Sequence, residues 1–118
     1  MINLRKFKKS VHYASRGLSH IWRAEQNFRI QTMIGLVVII AGILFKLSLL
    51  KFILLVLLIT LVLVLEILNT FFEKLVDLLS PRVHEYVGML KDILAASVFV
   101  ASIGAAIVGI LIFWPSIF

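Results

Sequence analysis

Residues 52–65 read FILLVLLITLVLVL, and the next residue is Glu66. Thr60 is the single polar side chain in that run, which continues as EILNTFF over residues 66–72. A helix needs about 20 mostly apolar residues to cross the hydrocarbon of a bilayer. This stretch supplies them when its polar end sits at the interface or inside a bundle. Two other stretches read alike: residues 30–45 carry only Gln31 and Thr32 as polar exceptions, and residues 93–118 contain no charged side chain. Helices of a soluble bundle keep a polar face, and these do not. The expectation is an all-α membrane protein forming one domain, residues 1–118, with transmembrane helices at about 28–48, 51–78 and 91–115.

Composition agrees. Of 118 residues, 62% are hydrophobic and 15% charged, against roughly 45–50% and 25% in a soluble domain; mean hydropathy is +1.11. A soluble globular enzyme and a disordered tail are thereby excluded. The absence of cysteine excludes a disulfide scaffold, thiol catalysis and thiolate zinc sites. The formal net charge of +6 suits nucleic acid or a membrane surface, and its distribution favours the membrane. Arg5, Lys6, Lys8, Lys9, Arg16, Arg23 and Arg29 precede the first span, and Lys74, Arg82 and Lys91 lie between the second and third. Only Lys46 and Lys51 lie between the first and second, and nothing basic follows the third. The excess of cations places the N-terminus and the second connection in the cytosol and the C-terminus outside, as in a multi-pass membrane protein.

The N-terminal segment, residues 4–24, has its own pattern. Leu4, Phe7, Val11, Ala14, Leu18, Ile21 and Trp22 form a helical stripe, with Arg5, Lys9, His12, Arg16 and Arg23 on another side. An interfacial amphipathic helix has this form, its stripe in the acyl boundary and its cations among headgroups. An Arg-rich organellar presequence shares part of the pattern; a secretory signal does not, because no apolar region follows the basic start. Ser80-Pro81 marks the end of the second span or the first turn of a new helix.

An ionisable residue within a span is costly unless paired or hydrated, and so points to function. Glu66, Asn69, Glu73 and Asp77 are spaced 3, 4 and 4 apart and share one helix face, with Glu66 and Glu73 about 10 Å apart along the axis. With this orientation Glu66 lies deepest and Asp77 at the cytosolic mouth. Carboxylates at successive depths suit Mg2+, which binds one or two of them together with phosphate oxygens. A deeper one can take the proton of a hydroxyl. Glu25, just before the first span, can complete a metal site with Glu73, and Lys91, beside Asp92, can meet a polyphosphate. Each residue also has an ordinary reading: Glu73 and Asp77 as helix-end charges, Asn69 as a bridge between helices, Lys91 and Asp92 as a snorkelling pair, Tyr13 as an interfacial anchor and His84 as a solvated loop residue. Their gathering on one side of the membrane favours phosphoryl transfer to a lipid hydroxyl. No phosphate-binding glycine loop, dinucleotide fingerprint or H-E-x-x-H is present, so a nucleotide site must be built from side chains on helices.

The run Glu66-Ile-Leu-Asn69-Thr-Phe-Phe-Glu73-Lys-Leu-Val-Asp77, followed by His84, Gly88 and Lys91-Asp92, resembles the prokaryotic diacylglycerol kinase family, small integral-membrane lipid kinases unrelated to soluble kinases. The resemblance extends over nearly the whole chain, including Glu25-Gln-Asn-Phe-Arg29. It implies an ATP- and Mg2+-dependent homotrimer with active sites shared between subunits. It further implies Glu66 as catalytic base with Asn69 as its polar neighbour, and Glu25 and Glu73 as metal ligands. Lys6, Tyr13, Asp77, Arg82, Val83, His84, Lys91 and Asp92 fall where the family contacts ATP. Lys6 replaces an expected arginine, Phe71 and Phe72 stand where smaller residues are usual, and Leu94 where glycine or alanine is common; these bulkier residues would crowd the acceptor groove. The stretches EQNFRIQ and EKLVDLLSP look more like the undecaprenol kinases of the family than its diacylglycerol kinases. From other classes, a small proton-coupled exporter would use Glu66 alone, and a helical scaffold would use none of these carboxylates.

Overall fold

The computed structural model describes residues 1–79 and 85–118. Ser80-Pro81 and the expected ATP contacts Arg82, Val83 and His84 lie outside the described residues. The described chain is all helical: α1 Leu4–Ala24, α2 Gln26–Leu44, α3 Leu49–Leu79 and α4 Glu85–Ile117. The last three are long and apolar enough to cross a membrane. Helix over the whole of Leu49–Ile117 would be about 100 Å long if straight, whereas the greatest extent of the chain is 55 Å. α3 and α4 therefore lie alongside each other.

Asn3 starts α1 by accepting hydrogen bonds from the backbone N–H groups of Arg5 and Lys6 at 3.0 and 3.3 Å, satisfying donors that a helix leaves free at its first turn. α1 packs on α2 alone among its stronger contacts, and only Ile21 is buried along it. The chain breaks at Glu25, whose backbone is extended at φ −117° and ψ 111°. Trp22 meets Phe28 edge to face across the break, with ring centroids 6.4 Å apart.

α2 and α3 form the tightest seam. Gly35 and Gly42, both buried, turn one face of α2 onto α3; a Cβ at Gly35 would stand 2.8 Å from Ile59 Cγ2, inside any sterically tolerable approach. Small residues allow such close passage where lipid supplies no hydrophobic drive. α4 joins through Gln31 Nε2, which donates to Ser102 Oγ at 3.3 Å, and through Phe45 against Phe113. The buried apolar residues are few: Ile21, Phe28, Leu55, Val62, Val98 and Ile112. The remaining apolar surface faces outward, as a multi-pass membrane protein requires.

α2 ends at Leu44, short of 48, because a Schellman turn stops it. Leu47 N–H donates to Gly42 O and Lys46 N–H to Ile43 O, each at 3.1 Å, with Lys46 at φ 54°. Ser48 then caps α3 by accepting from Lys51 N–H. The left-handed position occupied by Lys46 usually belongs to glycine, since a Cβ there costs about 1–2 kcal/mol. Lys46→Gly is expected to raise the thermal midpoint in detergent by an amount equivalent to about 1 kcal/mol or less once the freedom of unfolded glycine is counted. Lys46→Ala should give no gain, and equal midpoints for both would disprove the strain.

Candidate active site

The carboxylates of α3 descend a gradient of exposure. Glu66 is buried at 4% exposure, Glu73 is half-buried and Asp77 is exposed. The apolar run before Glu66 carries it into the bundle, and the spacing keeps all three on one side of the helix. Glu25 approaches from the break between α1 and α2, and the charges of Glu25 and Glu73 both act on Glu66. Lys91 on α4 closes the exposed end, with Nζ 2.6 Å from Asp77 Oδ1, and Glu73 also acts on its charge. Glu25 from the break, Glu66, Glu73 and Asp77 from α3 and Lys91 from α4 thus form one chain of interacting charges. Asn69 lies on its flank, its Oδ1 buried and without a hydrogen-bond partner among the described residues.

The break at Glu25 has an identifiable cause. Arg29, in the first turns of α2, reaches back so that Nη1 donates to Trp22 O at 2.6 Å and to Arg23 O at 3.1 Å. These carbonyls belong to the last turn of α1, which has no helical donors for them, and a guanidinium suits the negative end of the helix. Glu25 caps α2 by position, yet its side chain makes no capping hydrogen bond. Its carboxylate remains available to the cluster.

Lys6 and Tyr13 stand apart, both exposed on α1, with no side-chain hydrogen bond or ion pair to the carboxylates of α3 among the described residues. Asp92 is exposed beside Lys91. Phe71 and Phe72 are exposed and meet edge to face; at 100° per residue both point away from Glu66, so the crowding expected of them does not fall on the carboxylate face. Leu94 is half-buried. Three features escaped the sequence reading: the Arg29 clamp, the Gln31–Ser102 bridge, and Thr70, which is buried at 6% exposure with a hydroxyl that has no partner among the described residues. Thr70 follows Glu66 by four residues and precedes Glu73 by three; a search of that face for hydroxyls as well as charges would have found it.

Among the described residues no three acidic or histidine side chains come together as a metal site complete in protein ligands. Glu25 and Glu73 are two hard oxygen donors whose charges each act on Glu66. That set fits Mg2+, which takes few protein carboxylates and fills its remaining positions with water and phosphate.

Graded carboxylates on one span, faced by a cation from the next, define a membrane-embedded enzyme whose polar chemistry sits at the end of a helical bundle. Comparison with known proteins gives its family. A family described as prokaryotic diacylglycerol kinase matches residues 12–113. The chain is 36% identical over 114 residues to an undecaprenol kinase of Bacillus subtilis, covering 97% of this chain and 93% of that one. It is 41% identical over 101 residues to a diacylglycerol kinase of Synechocystis, covering 85% of this chain and 58% of that protein, and 30% identical over 106 residues to a diacylglycerol kinase of Escherichia coli, covering 90% and 87%. The chain belongs to the prokaryotic diacylglycerol kinase family. It is a lipid kinase, a phosphotransferase that uses ATP, and the exporter and scaffold readings fall away.

Hydrogen bonds from a charged donor contribute about 1.5–3 kcal/mol, so Arg29→Met is expected to lower the thermal midpoint in detergent clearly, with Arg29→Lys recovering part of the loss. An Arg29→Met protein that melts like the wild type would show that the carbonyls of Trp22 and Arg23 need no clamp.

Proposed function

We propose that this protein transfers the γ-phosphoryl group of ATP to the hydroxyl of undecaprenol. The observation that carries the reading is the depth gradient from Glu66 to Asp77 with Lys91 opposite its exposed end. A lipid alcohol approaches from the hydrocarbon and a polyphosphate from water, and the two meet along this gradient. Glu66 is the general base and takes the hydroxyl proton as the lipid oxygen bonds to the γ-phosphorus; the bridging oxygen leaves with ADP. Asn69 orients the group beside Glu66. Lys91, held by Asp77, offsets phosphate charge where positioning and electrostatics supply most of the catalysis. Lys6, Tyr13, Arg82, Val83, His84 and Asp92 complete the nucleotide contacts. Glu25 and Glu73 would hold Mg2+, which when bound shields the negative charge of the phosphates.

The acceptor assignment is supported by the match with the Bacillus undecaprenol kinase along nearly the full length of both chains. Diacylglycerol is the second reading, favoured by the 41% identity with the Synechocystis protein. A cleft of about 730 Å³ between α2, α3 and α4, lined by Leu55, Val62, Ala105 and Phe113, gives hydrocarbon a place that starts one turn from Glu66. The small buried core supports a homotrimer, since three spans enclose a nucleotide and a lipid only with neighbours. The excess of cations supports a cytosolic N-terminus and a C-terminus outside; the prokaryotic family supports a bacterial plasma membrane, and its match over residues 12–113 supports one domain over residues 1–118.

Transfer of label from γ-labelled ATP to purified undecaprenol or diacylglycerol, offered separately, tests the reading. Undecaprenol is expected to take the label, and preferential labelling of diacylglycerol would move the assignment to it. Glu66→Gln should cut transfer by about 100-fold or more while ATP binding survives; wild-type rates would remove the base. Glu73→Gln should raise the Mg2+ concentration for half-maximal activity, and an unchanged Mg2+ response would argue against a ligand at that position.

A further inference from the structure

Thr70 occupies a position that helical chemistry does not explain. Four hydroxyl side chains in these helices return their proton to the preceding turn: Thr32 to Phe28 O at 2.8 Å, Ser10 to Lys6 O at 3.1 Å, Ser15 to Val11 O at 2.9 Å and Ser97 to Leu94 O at 2.6 Å. Thr70 is more buried than any of these, at 6% exposure, and its Oγ1 has no partner among the described residues. A buried hydroxyl without a partner is destabilising, and buried polar groups are nearly always bonded. A ligand that supplies the missing bond accounts for it.

Position identifies the ligand. Along α3, Thr70 lies about 6 Å from Glu66 and about 4.5 Å from Glu73, on the face they share. It stands between the group that accepts a proton and the group nearest the phosphates, where the attacking oxygen must be. A neutral alcohol suits this deep end, where Glu66 is buried and the charges of Glu25 and Glu73 act on it; the charged polyphosphate is met at the exposed end, where Lys91 stands. We propose that the Thr70 hydroxyl binds the acceptor lipid, donating a hydrogen bond to the oxygen that is phosphorylated. That bond takes one lone pair of the acceptor oxygen and leaves its O–H aimed at Glu66. During transfer the acceptor proton goes to Glu66, the acceptor oxygen bonds to phosphorus, the bridging oxygen departs with ADP, and Thr70 keeps its own proton throughout. The inference rests on the reading of Glu66 as base and of a lipid alcohol as acceptor.

The experiment uses the full chain in mixed micelles containing whichever of undecaprenol and diacylglycerol the wild type phosphorylates, with lipid and ATP varied independently. Thr70→Val removes the hydroxyl at nearly constant volume, and Thr70→Ser keeps it. Thr70→Val is expected to raise the KM for lipid about tenfold, the typical effect of one lost hydrogen bond, with the KM for ATP within about twofold of wild type. Thr70→Ser should return the lipid KM to near the wild-type value. Four results would each overturn the proposal: an unchanged lipid KM in the valine variant, an equal rise in the ATP KM, no rescue by serine, or loss of the assembled protein with valine, which would assign the hydroxyl to contact between subunits. Failure of the underlying reading looks different: the wild type would label neither lipid, or Glu66→Gln would remain active.

Discussion

A carboxylate held inside a bundle surrounded by hydrocarbon constrains everything near it. Glu66 is buried, with no hydrogen bond or ion pair among the described residues. A charge in such a place is costly unless other polar groups or water share the site. The chain surrounds Glu66 with groups that come from different elements and grow more exposed with distance: Thr70 and Asn69 within a turn, Glu25 at a break in the backbone, Glu73 and then Asp77 toward the end of the helix. Glu25 and Glu73 add like charge instead of relieving it. An accumulation of like charge around a buried carboxylate is costly to the fold unless something bound offsets it.

The elements divide their tasks accordingly. α3 carries carboxylates at graded depth, and α4 supplies Lys91 beside the exposed one. α2 holds the bundle together at the other end through glycine contacts with α3 and the Gln31–Ser102 bridge to α4. α1 is amphipathic and leaves the bundle at the break clamped by Arg29. The clamp thereby ties the interfacial helix to a carboxylate of the cluster, because the same break presents Glu25.

Much of this was legible in the sequence, and the exceptions have physical reasons. Three apolar helices and an amphipathic start follow from hydropathy and periodicity, which record the lipid environment directly. The shared face of Glu66, Glu73 and Asp77 follows from spacing on one helix. The approach of Glu25 to Glu66 does not, since it depends on where α1 stops, and the cause of that stop is a side chain four residues later. The end of α2 was hidden for a related reason: the turn uses Lys46 in a left-handed conformation where glycine would have signalled a boundary. Thr70 carries no charge and blends into a span that tolerates threonine, so only its burial and its missing partner distinguish it.

The glycine seam has a consequence for how the protein accommodates different guests. With Ile59 pressed against Gly35, the first two spans have little slack between them, and a Cβ added there must displace the Ile59 side chain or part the helices. α4 meets the pair through side chains: the Gln31–Ser102 bridge, the Lys91–Asp77 ion pair and the edge of Phe45 against Phe113. One side of the cleft is therefore set by how near two backbones lie and the other by the length of side chains, so bulk added at Gly35 and bulk added at Ala105 bear on different walls of the same space.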